Sequence, residues 1–486
     1  MAVGSLPIWP DRSRADPGAW DGKALSEGKG DRPERSIPRG RLSRLGHFGR
    51  LAGGVAGGMA AEGMRRLASG ERPRLSDLLL TPGNAMRVAD RLSHLRGAAL
   101  KLGQMISMDA GDILPPELST ILATVRNQAY RMPPQQLGAV LKREWGTDWR
   151  RRFSHFDAMP IAAASIGQVH RATLPDGQVL AIKVQYPGVR ASIDADVDNV
   201  ATLLRISNLL PRTLDLSPLL AEAKRQLAEE ADYLREGEQM RAYGERLSCD
   251  GRYIVPTLHS DLTTADVLAM QFVEAQPIET LADAGQDVRD RAMTTLIELV
   301  LREIFEFGVM QTDPNFANFR WQPDTGALVL LDFGATRVVP VQTVESYRAL
   351  IAAGLAHDRD GIRDIAVETG FLGAEAVAAH RATVDRIIAA IDDALGRPEP
   401  FDFGDRAFVP VVQAEASSLV GDRATWHIPD TEKLFVQRKI SGTAMLCARL
   451  KARVDVVGLA RAAIASGLPL ADGQEPHLAS APGNKP

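Results

Sequence analysis

The spacing of apolar and polar positions changes along the chain, and each change marks an element or a boundary. Between residues 92 and 108 the apolar side chains Leu92, Leu95, Ala99, Leu102 and Ile106 recur at helical spacing. Pro115-Pro116 and Pro133-Pro134 bracket a second helical stretch, because proline disfavours continuation at either end. The texture then turns to short β-prone runs at residues 167–174 and 178–185, joined by Asp176-Gly177, a hairpin signal. Residues 216–247 read as helix again. The segment from Tyr253 to Val273 holds two strand-like runs, IVPTL and DVLAMQFV. An apolar-periodic helix fills residues 285–308 and ends at Gly308. A loop, the strand ALVLLDF and helices to about residue 465 follow. Helices, then a small β-rich section with one long helix, then more helices predict an α+β chain folded as two lobes with a cleft between them.

Composition narrows the chemistry. The 57 Lys+Arg against 61 Asp+Glu leave a net charge of −4. That argues against a nucleic-acid partner, whose affinity comes mostly from neutralised phosphates. Two distant cysteines, Cys249 and Cys447, rule out a disulfide framework or a cysteine zinc site, and the His residues show no metal-type pairing. Residues 1–35 and 466–486 have the polar, Gly- and Pro-rich composition of a disordered leader and tail.

The N-terminus lacks the order of a signal peptide, and Asp11, Asp16 and Asp21 argue against a transit peptide. The longest apolar candidate, residues 51–61, would reach roughly 16 Å as a helix, against a hydrocarbon core of about 30 Å. It cannot span a bilayer alone. Gly53, Gly54, Gly57 and Gly58 repeat at a spacing that permits close helix approach and a homodimer. Beside it lie Arg35, Arg39, Arg41, Arg44 and Arg50. The pair suits an anionic phospholipid surface; the plainer reading is a packed surface helix.

The chemistry-bearing residues begin after Gly308. Asp313 and Asn318 form D-x4-N in MQTDPNFAN, and after a turn and a strand Asp332 opens Asp-Phe-Gly. Protein kinases use this order: one carboxylate by the attacking group, then an amide oxygen and a second carboxylate that hold Mg²⁺ on nucleotide phosphates. The arrangement demands partners upstream. LAIKV places Lys183 on the strand after the hairpin, within reach of ATP phosphates. An acidic residue on a helix must hold that lysine, and one helix through LAEEADYLREGEQM offers Glu229, Glu230, Asp232 and Glu236, with Asp232 and Glu236 sharing a face. VLAMQFVEA reads as the strand and connector between lobes. There Met270 backs the adenine pocket, and backbone groups near Gln271 and Val273 bind the base.

Two features depart from a protein kinase. Where a Gly-rich loop belongs stand Ala162, Ala163, Ala164 and Ser165, which keep the backbone donors but stiffen the loop and add methyl groups. No Arg precedes Asp313, and DFGATRVVP runs almost directly into a helix pattern, with little room for a peptide-docking platform. The set argues for ATP and Mg²⁺ and against a protein substrate.

These motifs resemble the UbiB/AarF-domain family of atypical kinases, above all its coenzyme Q biosynthesis branch. The matching pieces are KLGQ at 101–104, AAASIGQVH at 162–170, LAIKVQYPGV at 180–189, EADYLREG at 230–237, MQTDPNFANF at 310–319 and LLDFGATR at 330–337. The resemblance implies a bilobal protein-kinase-like fold with a helical extension at 36–150, a first lobe at 151–275 and a second at 276–465. It implies that the extension caps the active site through regulatory residues Lys101 and Gln104, with Glu230 and Asp232 near them, and that Glu236 pairs with Lys183. It further implies an ATPase or small-molecule kinase that supports ubiquinone biosynthesis with partner enzymes, peripheral to the inner membrane on the cytoplasmic side of a bacterium. A nucleotide-binding scaffold that needs no turnover and a true protein kinase are the alternatives. Gly237 and Gln239 stand where the family often has Ala and Asn.

Overall fold

The computed structural model describes residues 131–206 and 217–465, apart from 398, 406–408, 411, 413 and 416–430. The expected leader, the tail, the helices before residue 131 with Lys101 and Gln104, and the basic and glycine-spaced segments lie outside the described residues. The chain divides into two units: residues up to Gly237 with Leu258–Phe272, and Glu238–Thr257 with Val273 onward.

In the first unit, helix α1 (Pro134–Trp145) starts at the Pro133-Pro134 pair and stops at Gly146. Strands β1 (His155–Phe156), β2 (Ala162–Ala163), β3 (Gly167–Thr173) and β4 (Val179–Gln185) follow. Helices α2 (Val189–Ile206), α3 (Ser217–Glu230) and α4 (Tyr233–Leu247) come next, and β6 (Val267–Gln271) completes the sheet after β5 (Tyr253–Ile254), which belongs to the second unit. The sheet is antiparallel in the order β1-β3-β4-β6, with β2 also on β3. The hairpin turn is the one Asp176-Gly177 signals: Leu174 and Gln178 pair across it, and Gly177 takes φ 90°, which a Cβ would strain.

Strand alternation sorts this sheet into two faces. Leu180, Ile182 and Val184 of β4 and Val267 and Ala269 of β6 pack with Leu137, Val140 and Leu141 of α1 and the aromatics Trp145, Trp149, Phe153 and Phe156. The alternate residues, Ala181 and Lys183 on β4 with Leu268 and Met270 opposite them on β6, lie on the other face.

The second unit holds β5, β7 (Gln276–Pro277), β9 (Phe319–Trp321) and β10 (Leu328–Leu330) in the order β5-β10-β9-β7, and a separate pair of β8 (Val309–Gln311) with β11 (Thr336–Val338). Helix α5 (Gln286–Arg302) is the predicted apolar helix, but its last turn, Glu303–Phe307, widens to π geometry before Gly308. Helices α6 (Val341–Leu355), α7 (Arg359–Glu368), α8 (Ala374–Leu395), α9 (Thr431–Leu450) and α10 (Val456–Ala465) complete it. Val300, Ile304 and Phe305 beneath β8 meet Val344, Tyr347, Phe435 and Val436 in its core. Among the described residues no helix is long and apolar enough to cross a membrane.

One buried titratable group makes the first unit acid-sensitive. His170 on β3 stacks on Phe156, centroids 5.5 Å apart. The Met132 N–H donates to Gln168 Oε1 (3.0 Å), which turns the Gln168 amide nitrogen to donate to His170 Nε2 (2.8 Å). His170 Nδ1 then donates to the Asp157 carbonyl (2.8 Å). This chain holds one proton on the ring, and burial lowers its pKa from 6.5 to about 4. The unfolded chain binds its proton near pH 6.5 and the folded chain only near 4. Stability is therefore full above 6.5 and falls as pH drops toward 4, by roughly 3 kcal/mol from this group. Urea unfolding at neutral pH and near pH 4 should show a smaller loss in His170→Gln than in the parent chain.

Candidate functional site

The first unit positions Lys183. Its place on β4, on the face away from α1, aims it at the start of α4. There Nζ donates to Glu236 Oε1 and Oε2 at 2.9 and 3.0 Å. Lys183 is 9 % exposed and Glu236 1 %, so the pair is held out of water. Nζ also lies 5.1 Å from the ring centroid of Tyr233, a buried cation–π contact.

The helix that carries the acids is not continuous, contrary to the sequence expectation. It stops at Glu230 and restarts at Tyr233. The Ala231 carbonyl, released at the break, accepts from Gln185 Nε2 (2.7 Å) and from Arg190 (2.9 Å). Asp232 sits before the new helix and accepts the Arg235 N–H at 3.2 Å, an N-cap, with Arg190 3.6 Å away. Asp232 therefore does not share a helical face with Glu236; it starts the helix that presents Glu236 to Lys183. Glu230, at the end of α3, accepts the Ser165 hydroxyl at 2.8 Å.

The alanine segment is a strand and a tight turn. Ala162 and Ala163 pair with Val169 and Gln168 of β3, and the Ala164 N–H donates to the Gly167 carbonyl at 2.9 Å. The Ala164 donor and the Ser165 hydroxyl thus have partners inside the protein. Met270, 6 % exposed, lies opposite Ala181 and on the Lys183 face of the sheet, with Gln271 opposite Leu180. Val273 belongs to the second unit.

In the second unit two ladders carry the remaining residues to one place. The β9–β10 pairing is extended by the Leu331 N–H donating to the Asn318 carbonyl at 3.0 Å, which sets Asn318 beside the strand end that leads into Asp332. The β8–β11 pairing is extended by Thr312 N–H and hydroxyl bonds to the Ala335 carbonyl (3.0 and 2.8 Å), which sets Asp313 beside the segment after Asp332. Asn318 Nδ2 donates to the Asp313 carbonyl at 3.3 Å, so its oxygen is the atom that can face a cation. Asp313 Oδ1 accepts the Asn315 N–H (3.3 Å) and Asp332 Oδ1 the Gly334 N–H (3.0 Å). Phe333 is buried 5.1 Å from the Tyr243 ring.

Beneath these loops lies a polar cluster that the sequence reading missed. Lys439 of α9, 1 % exposed, donates to Gln311 Oε1 at 2.8 Å and stands 3.8 Å from Glu303 Oε2. Glu303 Oε1 accepts from the Tyr243 hydroxyl (2.9 Å) and the Gln311 N–H (3.1 Å). Burial pushes the Glu303 carboxyl up and the Lys439 ammonium down, and each charge draws the other back. The available signal was a lysine on the same helical stripe as Phe435, Gly442 and Leu446.

A braced lysine, D-x4-N and a following Asp-Phe-Gly define a kinase-like phosphoryl-transfer fold. Residues 124–366 match the ABC1 atypical kinase-like domain. The chain is 38 % identical to "Atypical kinase COQ8, mitochondrial" of Saccharomyces cerevisiae over 86 % of its own length and 84 % of that protein. It is 36 % identical to "Atypical kinase COQ8B, mitochondrial" of Rattus norvegicus over 87 % and 80 %. A solved Mycobacterium tuberculosis protein, Rv3197 in complex with erythromycin, superposes with a TM-score of 0.55 at 25 % identity, covering 76 % of this chain and 93 % of that one. The chain belongs to the ABC1 atypical kinase-like family, as its motifs led one to expect, and is an enzyme of the atypical-kinase type.

Such a domain implies a nucleotide site, and the residues fit one. A buried ammonium braced by a carboxylate suits phosphate oxygens. Among the described residues no three His, Cys, Asp or Glu side chains form a metal cage of their own. Mg²⁺ needs none: one carboxylate and an amide oxygen suffice when phosphates and water complete its shell.

The Lys183–Glu236 pair makes a stability prediction. Glu236→Gln strands the buried ammonium and should cost about 3–5 kcal/mol, whereas Lys183→Met with Glu236→Gln removes both charges and should recover most of it. Denaturant unfolding of the three proteins checks this; equal loss in the single and double variants counts against a buried pair.

Proposed function

We propose that the chain is a Mg²⁺-dependent ATPase that supports ubiquinone biosynthesis at a membrane surface. The observation that carries the reading is the doubly hydrogen-bonded Lys183–Glu236 pair, a braced and buried cation of the kind that suits nucleotide phosphates. Met270, with backbone groups near Gln271 and Val273, receives the base. Asn318 and Asp332 hold Mg²⁺, whose chemistry is to neutralise charge on the phosphates. Asp313 orients the attacking water or hydroxyl and accepts its proton. Ala162 to Ser165 close over the phosphates as a stiff edge, since the Ala164 N–H and the Ser165 hydroxyl are held within the protein. Lys101 and Gln104, as in the family the motifs resemble, act as regulatory residues against a peptide substrate.

Ubiquinone enters from the coenzyme Q branch that the motifs resemble. The relatives named above are mitochondrial by name. For this chain we assign the cytoplasmic side of a bacterial inner membrane. The basic residues between Arg35 and Arg50 meet anionic lipid, the spaced glycines support a homodimer, and the partners are ubiquinone-biosynthesis enzymes.

Replacing Asp332 by Asn should lower Mg²⁺-dependent ATP hydrolysis by about 100-fold or more, since a metal clamp on the transferring group is lost. Ubiquinone should fall with it in cells that depend on this chain. Hydrolysis equal to the parent's overturns the reading. Cardiolipin-rich vesicles should raise the parent's rate; no change on adding them argues against the membrane part alone.

A further inference from the structure

Helix α9 lies far along the chain from every motif that resembles the family, yet one stripe of it meets the D-x4-N loop and the strands that frame it. The stripe is Phe435, Lys439, Gly442, Leu446 and Arg449, spaced to share one helical face. The Arg337 guanidinium of β11 lies 5.8 Å from the Phe435 ring. Lys439 reaches Gln311, two residues before Asp313, and stands 5.0 Å from the ring centroid of Phe319, the residue after Asn318. Gly442 touches the loop itself: a Cβ there would meet Pro314 Cβ at 2.2 Å and Cγ at 2.7 Å. Leu446 is buried, and Arg449 lies 5.7 Å from the Phe316 ring.

The residue before Asp313 is Thr312, which carries no charge and spends its donors on Ala335. The cation beneath the loop comes from α9 instead. Its ammonium is fixed from two sides, by Gln311 and by Glu303, which Tyr243 and the Gln311 N–H hold in place. Glu303 is brought inward by the π turn at the end of α5. The Lys439 ammonium also feels the Asp313 carboxylate, which favours its charged form.

We infer that Lys439 is a positioning residue for the reaction: together with the bare backbone of Gly442 under Pro314, it seats the loop that carries Asp313 and Asn318. Nucleotide contacts made in the first unit and the Mg²⁺ contact of Asp332 do not depend on it, so its loss acts more on turnover than on affinity. This inference rests on the ATPase reading of the same site.

The test uses the full chain with Lys439→Met, which keeps the length and removes the charge, and Gly442→Ala, which leaves the buried charges intact and favours the helix. Met445→Ser, on an exposed part of α9 (63 % exposed), is the control. Steady-state ATP hydrolysis should show kcat lowered roughly 10- to 100-fold in both variants, as for a small displacement of a catalytic group, with KM within about twofold of the parent. Hydrogen–deuterium exchange should rise in the segment 309–319 and stay unchanged in 167–185. Met445→Ser should match the parent in both assays. If Lys439→Met does not fold, Gly442→Ala decides. Parent-like kcat and exchange in Gly442→Ala overturn the inference, and so does exchange that rises throughout the second unit. If the parent itself hydrolyses no ATP, the ATPase reading fails, and exchange at 309–319 alone judges the seating of the loop.

Discussion

Lys183 occupies a strand with neighbours on both sides, and the ammonium of a buried strand residue must be answered where it stands. Both oxygens of Glu236 answer it. For that carboxylate to arrive, α4 has to begin at Tyr233, and for α4 to begin there the preceding helix has to end. The break frees the Ala231 carbonyl, and Gln185, two residues beyond Lys183 on the same strand, takes it up with Arg190. Asp232 caps the new helix and Tyr233 gives the ammonium its ring face. The opposite face of the strand supplies the rigidity, since Leu180, Ile182 and Val184 are locked against α1 and its aromatic cluster. One charge placed in a sheet thus determines a helix start, a helix end and two side-chain to backbone bonds.

How much of this could be read in the sequence follows from whether the cause is local. The hairpin at Asp176-Gly177, the stop at Gly308 and the order of the lysine strand, D-x4-N and Asp-Phe-Gly were legible because turn chemistry and motif spacing are local. Spacing left four acids open as partner of Lys183, and the resemblance singled out Glu236, which the structure pairs with it. The break between α3 and α4 was not, because LAEEADYLRE has the composition of a helix throughout. Its interruption is stabilised by Gln185 and Arg190, distant in sequence, which take up the Ala231 carbonyl. Asp232 read as one more acid on that helix, and only the break gives it an N-terminus to cap. The alanine segment misled in the same way. Four small residues suggest a loop, whereas pairing with Val169 and Gln168 makes the first two a strand.

Lys439 shows the opposite failure. A lysine in TEKLFVQRKISG reads as one more solvated helix charge, since buried lysines are rare unless paired. What buries it is the meeting of α9 with β8 and with the π turn after α5, none of which is near it in sequence. Gly442 was equally silent. A glycine within a helix looks like a cost of about 1 kcal/mol relative to alanine. Here the missing Cβ is what lets the helix lie against Pro314.

The two buried lysines are held differently, and the difference suits different work. Lys183 hydrogen-bonds to both oxygens of one carboxylate, from a strand that cannot move without disturbing the sheet; such an ammonium is oriented, as the proposed phosphate contact requires. Lys439 gives its short bond to a neutral amide oxygen and keeps a carboxylate at 3.8 Å, wholly enclosed. A charge so enclosed has no route to a ligand, and its field acts only on what the protein has built around it. Among the described residues, what is built around it is the strand before Asp313, the ring after Asn318 and the carboxylate of Asp313 itself. The helix that supplies it therefore belongs to the machinery of the loop as much as the loop's own motif does.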